Sequence, residues 1–414
     1  MVVSHVLVRI RVLRPLQSRS FALLWLGQTI SVLGDRIYQT TLPFLVLALG
    51  GNAIQLSRVL LFFALFQAMF VLLAGMVVDR VPHRRTMLLS DSVRAVLVAL
   101  MTILLLIGSL QVRHMYLIAA CFGIVSAFFL PAARGLVPQL VSADQLVAAN
   151  SLRSLSTQMN GILGPLIGGV LVVAGGAAVA IGANAVSFVL SAVCLFAIPV
   201  SRGTTALRRR PVTLTSSRQE LIAGFRFVAA TQWLLVFVLL SSLSDMCFAG
   251  AMSVALPLLA QARLGGAIGY GWMLAAIASG SALAVVLLGS RRQIRHRGIL
   301  YWCLVALSGL GMMLLAASRN IPQAIAAGAC IGACIAAFLV VMETTVQQLV
   351  PPEFLGRVTS LEIFGSLILL PPAYILIGML ITIDGPRAAI LVSGIGLILL
   401  ALLALCFRSV RMVQ

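Results

Sequence analysis

The chain has 414 residues, 61% of them hydrophobic and 9% charged, with a mean hydropathy of +1.12 and a formal net charge of +19. Soluble proteins carry about a quarter charged residues, so this is the composition of a membrane protein. At roughly 20 apolar residues per crossing, the length holds a dozen crossings and excludes any sizeable soluble domain.

All 29 basic residues are Arg, which excludes a phosphate-gripping P-loop lysine and with it a built-in ATPase. The four histidines, His5, His83, His114 and His296, fall in the tail and in separate loops. The seven cysteines sit in or at the end of apolar runs. Neither zinc-ligand spacing nor a disulfide framework is present. Cys330 and Cys334, one turn apart, read as small side chains at a helix-packing face. No metal, cofactor or catalytic constellation is expected, and the chain does not read as an enzyme.

Apolar runs predict an all-α protein of twelve transmembrane helices. After a tail over 1–20, the first six spans run Phe21 to Leu49, Leu56 to Val78, Thr86 to Gly108, Met115 to Leu136, Asn150 to Gly175 and Ala177 to Pro199. The only long polar segment, 200–232, carries Arg208, Arg209 and Arg210 and ends in an amphipathic stretch suited to a membrane surface. The second six run Trp233 to Leu259, Ile268 to Gly289, Ile299 to Ser318, Pro322 to Val346, Val358 to Ile383 and Arg387 to Phe407, before a tail over 408–414. The expected domains are therefore two six-helix bundles, 21–199 and 233–407, joined by an Arg-rich linker.

The positions of the Arg residues set the orientation. Counted loop by loop, 22 lie on the side of the two termini, five on the other side, and Arg36 and Arg94 within spans. Cytoplasmic loops carry the excess of positive charge, so both tails and the linker are expected in the cytoplasm. The net charge is then an orientation signal and an attraction to anionic membrane lipids. Nucleic acid is not an expected partner.

An internal repeat divides the chain in half. Gln139-Leu140-Val141 with Asp144 and Leu146 matches Gln348-Leu349-Val350 with Glu353 and Leu355 at an offset of 209. Separately, Ser31, Leu33 and Asp35 match Ser241, Leu243 and Asp245 at an offset of 210. Six-helix repeats with a site at their interface are a known transporter design.

The repeat puts an Asp deep in the first and the seventh span. Asp35 lies about 21 Å along a helix from Phe21, and Asp245 about 18 Å from Trp233, at 1.5 Å per residue. An ionised carboxylate there costs a few kcal/mol and faces water or a partner. Both are candidates for proton or cation coupling. Gln28, Ser31, Asp35 and Tyr38 are spaced to form one polar stripe, expected to face a central cavity. Arg36 points about 100° away from Asp35 and is expected to find a partner on another span. Arg94, three residues from Asp91, is expected to be its structural partner. A purely structural pairing of Asp35 and Asp245 with buried Arg is the competing reading.

At the end of span two, Gly75, Asp79, Arg80, Arg84 and Arg85 make a second feature. Gly75 permits close helix approach, and Asp79 can meet a helix N-terminus or an Arg. Together they suit a latch that forms in one conformational state and breaks in another. The pattern resembles the signature loop of the major facilitator superfamily, with Pro82 and His83 in place of the family's Gly and first Arg. Gly164, Pro165, Gly168 and Gly169 in span five are similar to the Gly-Pro motif of proton-coupled exporters. As packing elements, Pro165 kinks the helix and the glycines admit a neighbour. Trp25, Gly27, Gln28, Gly34 and Asp35, with the segment from Val350 to Val358, resemble a bacterial branch of enterobactin exporters and macrolide-efflux proteins. Unlike many members, span four carries no mid-membrane Arg. Glu343 and Glu362 lie toward the inner leaflet as gate candidates, with Arg134, Arg153 and Arg357 as possible partners holding helix ends.

The resemblance implies a monomeric antiporter of the bacterial inner membrane, exporting an amphiphilic small molecule (drug, macrolide or siderophore-like) by alternating access. Its energy source is the proton gradient. A lipid or lysolipid flippase of the same fold is the main alternative, and a non-transporting membrane sensor is a more distant one.

Overall fold

The computed structural model describes residues 11–78, 81–199, 225–289 and 296–413, and every regular element among them is helical. A 3-10 turn at Arg11–Gln17 leads into α1 (Arg19–Ala48), whose first turn is capped by the Ser18 hydroxyl accepting from the Phe21 amide. There follow α2 (Ala53–Val78), α3 (His83–Leu106), α4 (Val112–Leu140) and α5 (Leu146–Ala197). The second half comprises α6 (Gln232–Gly250), α7 (Leu256–Arg263), α8 (Gly266–Gly289), α9 (Arg297–Ala317), α10 (Ile321–Leu349), α11 (Pro352–Cys406) and the short α12 (Arg408–Arg411).

Two of these helices are folded pairs. α5 has 52 residues and breaks at Gly176, whose φ is 74°; α11 has 55 and breaks at Gly385, with φ 81°. Only glycine takes that backbone without strain, and the two positions differ by the same 209 residues as the repeat. Nine candidate membrane spans are found among the described residues. The two folded pairs each suffice for two crossings, and α1 adds a further 30-residue helix whose apolar average is lowered by Asp35, Arg36 and Gln39. The set is consistent with twelve crossings. The predicted boundaries between spans five and six and between eleven and twelve fall on these two glycines. One departure is span seven, which is not a single α-helix. Between α6 and α7 the chain widens into a π turn over Ala251–Ala255. Pro257 cannot donate to the carbonyl one turn back and crowds it, and the π turn relieves that crowding.

By contact density the chain divides into two units, Met1–Gly51 with Phe62–Arg208, and Asn52–Leu61 with Arg209–Gln414. In the first, α1 lies along α5. Trp25 Nε1 donates to Ser156 Oγ at 2.8 Å, and Asn160 Nδ2 donates to the Thr29 carbonyl at 2.8 Å. One end of this unit is closed by buried Phe21, Leu24, Met87, Leu136, Leu152 and Leu195. In the second unit the corresponding cluster is Val228, Leu234, Val346, Val350 and Val358, with Phe227 stacked on Phe354 at 4.4 Å. Phe227 and Val228 belong to a helix over 225–230, the described end of the expected amphipathic stretch; the rest of the linker, 200–224, lies outside the described residues.

Candidate functional site

Asp35 lies on α1 opposite α3, where Asp91 and Arg94 occupy successive turns of one face. Arg94 Nη2 meets Asp91 Oδ1 at 2.5 Å, and Ser191 Oγ of α5 donates to Asp91 Oδ2 at 2.6 Å. The same guanidinium reaches Asp35 Oδ2 through Nη1, at 4.0 Å. Its carbon sits over two rings, 3.9 Å from the Phe129 centroid and 4.7 Å from that of Phe188. The Asp91 and Arg94 side chains are 0% and 4% exposed, whereas Asp35 is 28% exposed. Arg94 is thus the structural partner of Asp91 that the sequence predicts, and it is also the cation nearest Asp35.

The other residues of the expected stripe divide by neighbour. Ser31 is buried, and the Gln28 amide nitrogen is buried without a hydrogen-bond partner. Tyr38 stacks on Phe122 of α4 at a centroid distance of 6.0 Å. On the same helix, Gly27 lies against Ser191 and Cys194, and Gly34 against Asn184 and Ser187. The expectation for Arg36 is corrected: its Nη1 donates to Gln39 Oε1 at 3.1 Å on its own helix rather than to another span. The i, i+3 spacing puts Gln39 on the same helix face, while Gly164, with no side chain, leaves room for the Arg36 stem against α5. Gly168 packs within 3.2 Å of Ile37 Cα. Gly164, Pro165, Gly168 and Gly169 are all buried, and the helix runs on through Pro165.

In the signature loop, Asp79 and Arg80 lie outside the described residues, and Gly75 is placed only as part of the α2 backbone. Arg84 caps the end of α5, donating from Nε to the Leu195 carbonyl at 2.7 Å and from Nη2 to the Phe196 carbonyl at 2.6 Å. A guanidinium at a helix C-terminus satisfies orphan carbonyls and the negative end of the helix dipole. Arg85 is exposed, and His83, at the family's Arg position, lies against Gly135 of α4.

The second unit is organised differently. Ser366 Oγ on α11 donates to Asp245 Oδ2 at 2.5 Å, and Glu362 and the Tyr301 hydroxyl are within electrostatic reach of Asp245. Among the described residues no ion pair forms at Asp245. Glu343 is exposed and Glu362 half-buried. In the first unit Arg134 is exposed, with half-buried Arg153 in electrostatic reach of it. Inside the units, Arg153 is in electrostatic reach of Arg134, and Glu362 of Asp245 and Glu343. Arg357 is described as helix backbone only. No three His, Cys, Asp or Glu among the described residues converge to hold a metal ion.

A family model described as transmembrane secretion effector matches residues 10–413. The chain belongs to that family. The resemblance to the major facilitator superfamily therefore stands, and the protein is a multi-pass membrane transporter and not an enzyme. Enterobactin exporter EntS of Shigella boydii serotype 18 (strain CDC 3083-94 / BS512) is 26% identical over 348 residues, 82% of this chain and 80% of that protein. The same exporter from Escherichia coli O139:H28 (strain E24377A / ETEC) aligns with equal identity and coverage. Among solved structures, the nucleoside transporter NupG superposes with a TM-score of 0.75 at 12% identity, over 94% of this chain and 98% of that one. A bacterial homologue of the human lysosomal transporter Spinster, inward-facing and occupied, gives 0.73 at 14% identity, over 96% and 98%. At those identities the structures establish the fold.

For a transmembrane secretion effector of this architecture, several groups around the carboxylates carry no signal in the linear sequence. Ser191 is 100 residues from Asp91, and Ser366 is 121 from Asp245. Serines are common at membrane helix interfaces, so neither stands out before the helices are packed. Phe129 and Phe188 likewise look like ordinary apolar residues until Arg94 lies between them.

Proposed function

We propose that the chain is a proton-coupled exporter of a siderophore-like, amphiphilic small molecule, working by alternating access in the bacterial cytoplasmic membrane. The alignment with enterobactin exporters over most of the chain supports the direction and the substrate class. The observation that carries proton coupling is the partial exposure and loose pairing of Asp35 beside a fully paired Asp91. An intramembrane carboxylate with water access is the group a proton gradient can address.

In this reading a proton from outside adds to the Asp35 carboxylate, which then no longer attracts Arg94, and the same proton leaves to the cytoplasm when the site opens inward. Asp245, held by Ser366, is the second acceptor. Alternating access is carried by the two bundles, 21–199 and 233–407, with Gln28, Ser31 and Tyr38 beside Asp35 on the first bundle's side of the substrate path. The loop from Gly75 through Asp79, Arg80 and Arg85 acts as a latch, and Glu343, Glu362 and Arg357 serve the inner gate. Both tails and the linker 200–232 lie in the cytoplasm, and the protein acts as a monomer without a cofactor.

The test is uptake of enterobactin into everted membrane vesicles with an acid lumen, with a macrolide as comparison substrate. Accumulation that collapses with a protonophore supports the reading. Gradient-independent uptake of either compound contradicts it.

A further inference from the structure

Asp35 and Asp91 lie near one guanidinium and are treated unequally by it. Asp91 has both oxygens engaged, one by Arg94 at 2.5 Å and one by Ser191 at 2.6 Å, and is 0% exposed. Asp35 has only the 4.0 Å contact and is 28% exposed. Two carboxylates and one guanidinium leave one uncompensated negative charge, and the geometry puts it on Asp35.

The cation itself is not free to follow. Asp91 holds one arm, the Phe129 and Phe188 rings flank its face, and the Nε is buried without a hydrogen-bond partner. A buried ion pair is a weak source of stability, and an unmet buried donor adds a further cost. The arrangement is better suited to fixing the position of a charge. Of the other groups near Asp35, Arg36 on its own helix adds a weaker attraction while its head donates to Gln39, and Tyr38 lies against Phe122. Along the neighbouring face of α5 are neutral Asn184, Ser187 and Ser191, with the Cys194 thiol opposite Gly27. From α4, Phe122 lies against Tyr38 and Phe129 against Arg94.

We propose that Arg94 is a positioning residue for proton exchange: pinned by Asp91 and Ser191, it holds a fixed positive charge beside Asp35 and makes Asp35 the exchangeable carboxylate of the pair. The inference rests on the proposed coupling role of Asp35, yet it concerns a property measurable without substrate.

Dicyclohexylcarbodiimide adds to carboxyl groups in their protonated form, and mass spectrometry locates the adduct. Labelling the protein in lipid vesicles over a pH series gives a curve for Asp35, with Asp91 unlabelled because it is enclosed. Replacing Arg94 by Gln should displace the Asp35 curve toward alkaline pH by about one unit or more, the effect of an opposite charge at this range. Arg94→Lys should restore most of the parent curve. Because Arg94→Gln leaves Asp91 unpaired and is at risk of misfolding, the double variant Asp91→Asn/Arg94→Gln, with no unpaired charge, should show a displacement in the same direction but smaller, since the repelling Asp91 charge is gone as well. Asp91→Asn alone should displace it toward acid pH, since Arg94 is then released to Asp35. A curve unmoved in both the single and the double Arg94 variants overturns the inference. If the curve moves as stated but Asp35→Asn still transports in response to a pH gradient, the coupling role of Asp35 fails while the assignment of Arg94 stands.

Discussion

Gly164 lies directly against the Cβ of Arg36, so that a methyl group added to the glycine would overlap the Arg36 stem. The contact brings α5 onto α1 beside Asp35. Gly164→Ala should lower stability by about 1–3 kcal/mol, the usual cost of overpacking a tight contact. Gly168→Ala, where the nearest atoms are 3.1 and 3.2 Å away, should be milder. Thermal unfolding of the purified variants in detergent measures both. Equal, negligible effects would mean that this face has slack to spare.

Arg84 ties the start of α3 to the end of α5 through two carbonyls. Arg84→Gln should destabilise the protein by about 1.5–3 kcal/mol, the range for hydrogen bonds involving a charged group. Arg85→Gln, at an exposed neighbour, should change stability little. The same melting assay compares the pair, and an Arg84 variant as stable as the Arg85 one would remove the cap from this account.

Arg asymmetry predicts a cytoplasmic linker. A single cysteine placed at Ser201 in a background lacking the seven native cysteines should resist a membrane-impermeant thiol reagent added to intact cells. It should react once the membrane is permeabilised. Efficient labelling from outside would reverse the topology.

Much of the fold is written locally. Twelve apolar runs, two hairpin glycines 209 residues apart and the repeated Asp positions are each visible in short stretches of sequence, because helix periodicity and turn chemistry act over a few residues. The Asp91–Arg94 pair was legible for the same reason: three residues on a helix put both on one face. What the sequence hides is the contact between helices. Asp35 and Asp245 are equivalent in the repeat, but one faces a guanidinium from α3 and the other a serine hydroxyl from α11, a difference set by packing. Arg36 illustrates the converse. Its stem packs against Gly164 on another helix while its head finds Gln39 one turn along its own, a partner that the expectation of one on another span overlooked. The π turn before Pro257 belongs in between, since the proline is visible but the widened turn that accommodates it is not.

Asp245 gives a graded prediction. Its hydrogen bond from Ser366 replaces an ion pair, so Ser366→Ala should weaken gradient-driven transport less than Asp245→Asn does. Initial rates of enterobactin uptake in everted vesicles compare them. A Ser366→Ala defect larger than that of Asp245→Asn would show the serine acting on substrate directly rather than through the carboxylate.

The most direct measurement is substrate accumulation in everted vesicles with and without an acid lumen, for the parent, Asp35→Asn and Asp245→Asn. The parent should accumulate enterobactin only with the gradient. Asp35→Asn should bind and equilibrate the substrate but fail to accumulate it, with Asp245→Asn showing a similar or smaller defect. If both variants respond to the gradient as the parent does, neither Asp carries the coupling proton, and both are structural residues of their helix bundles.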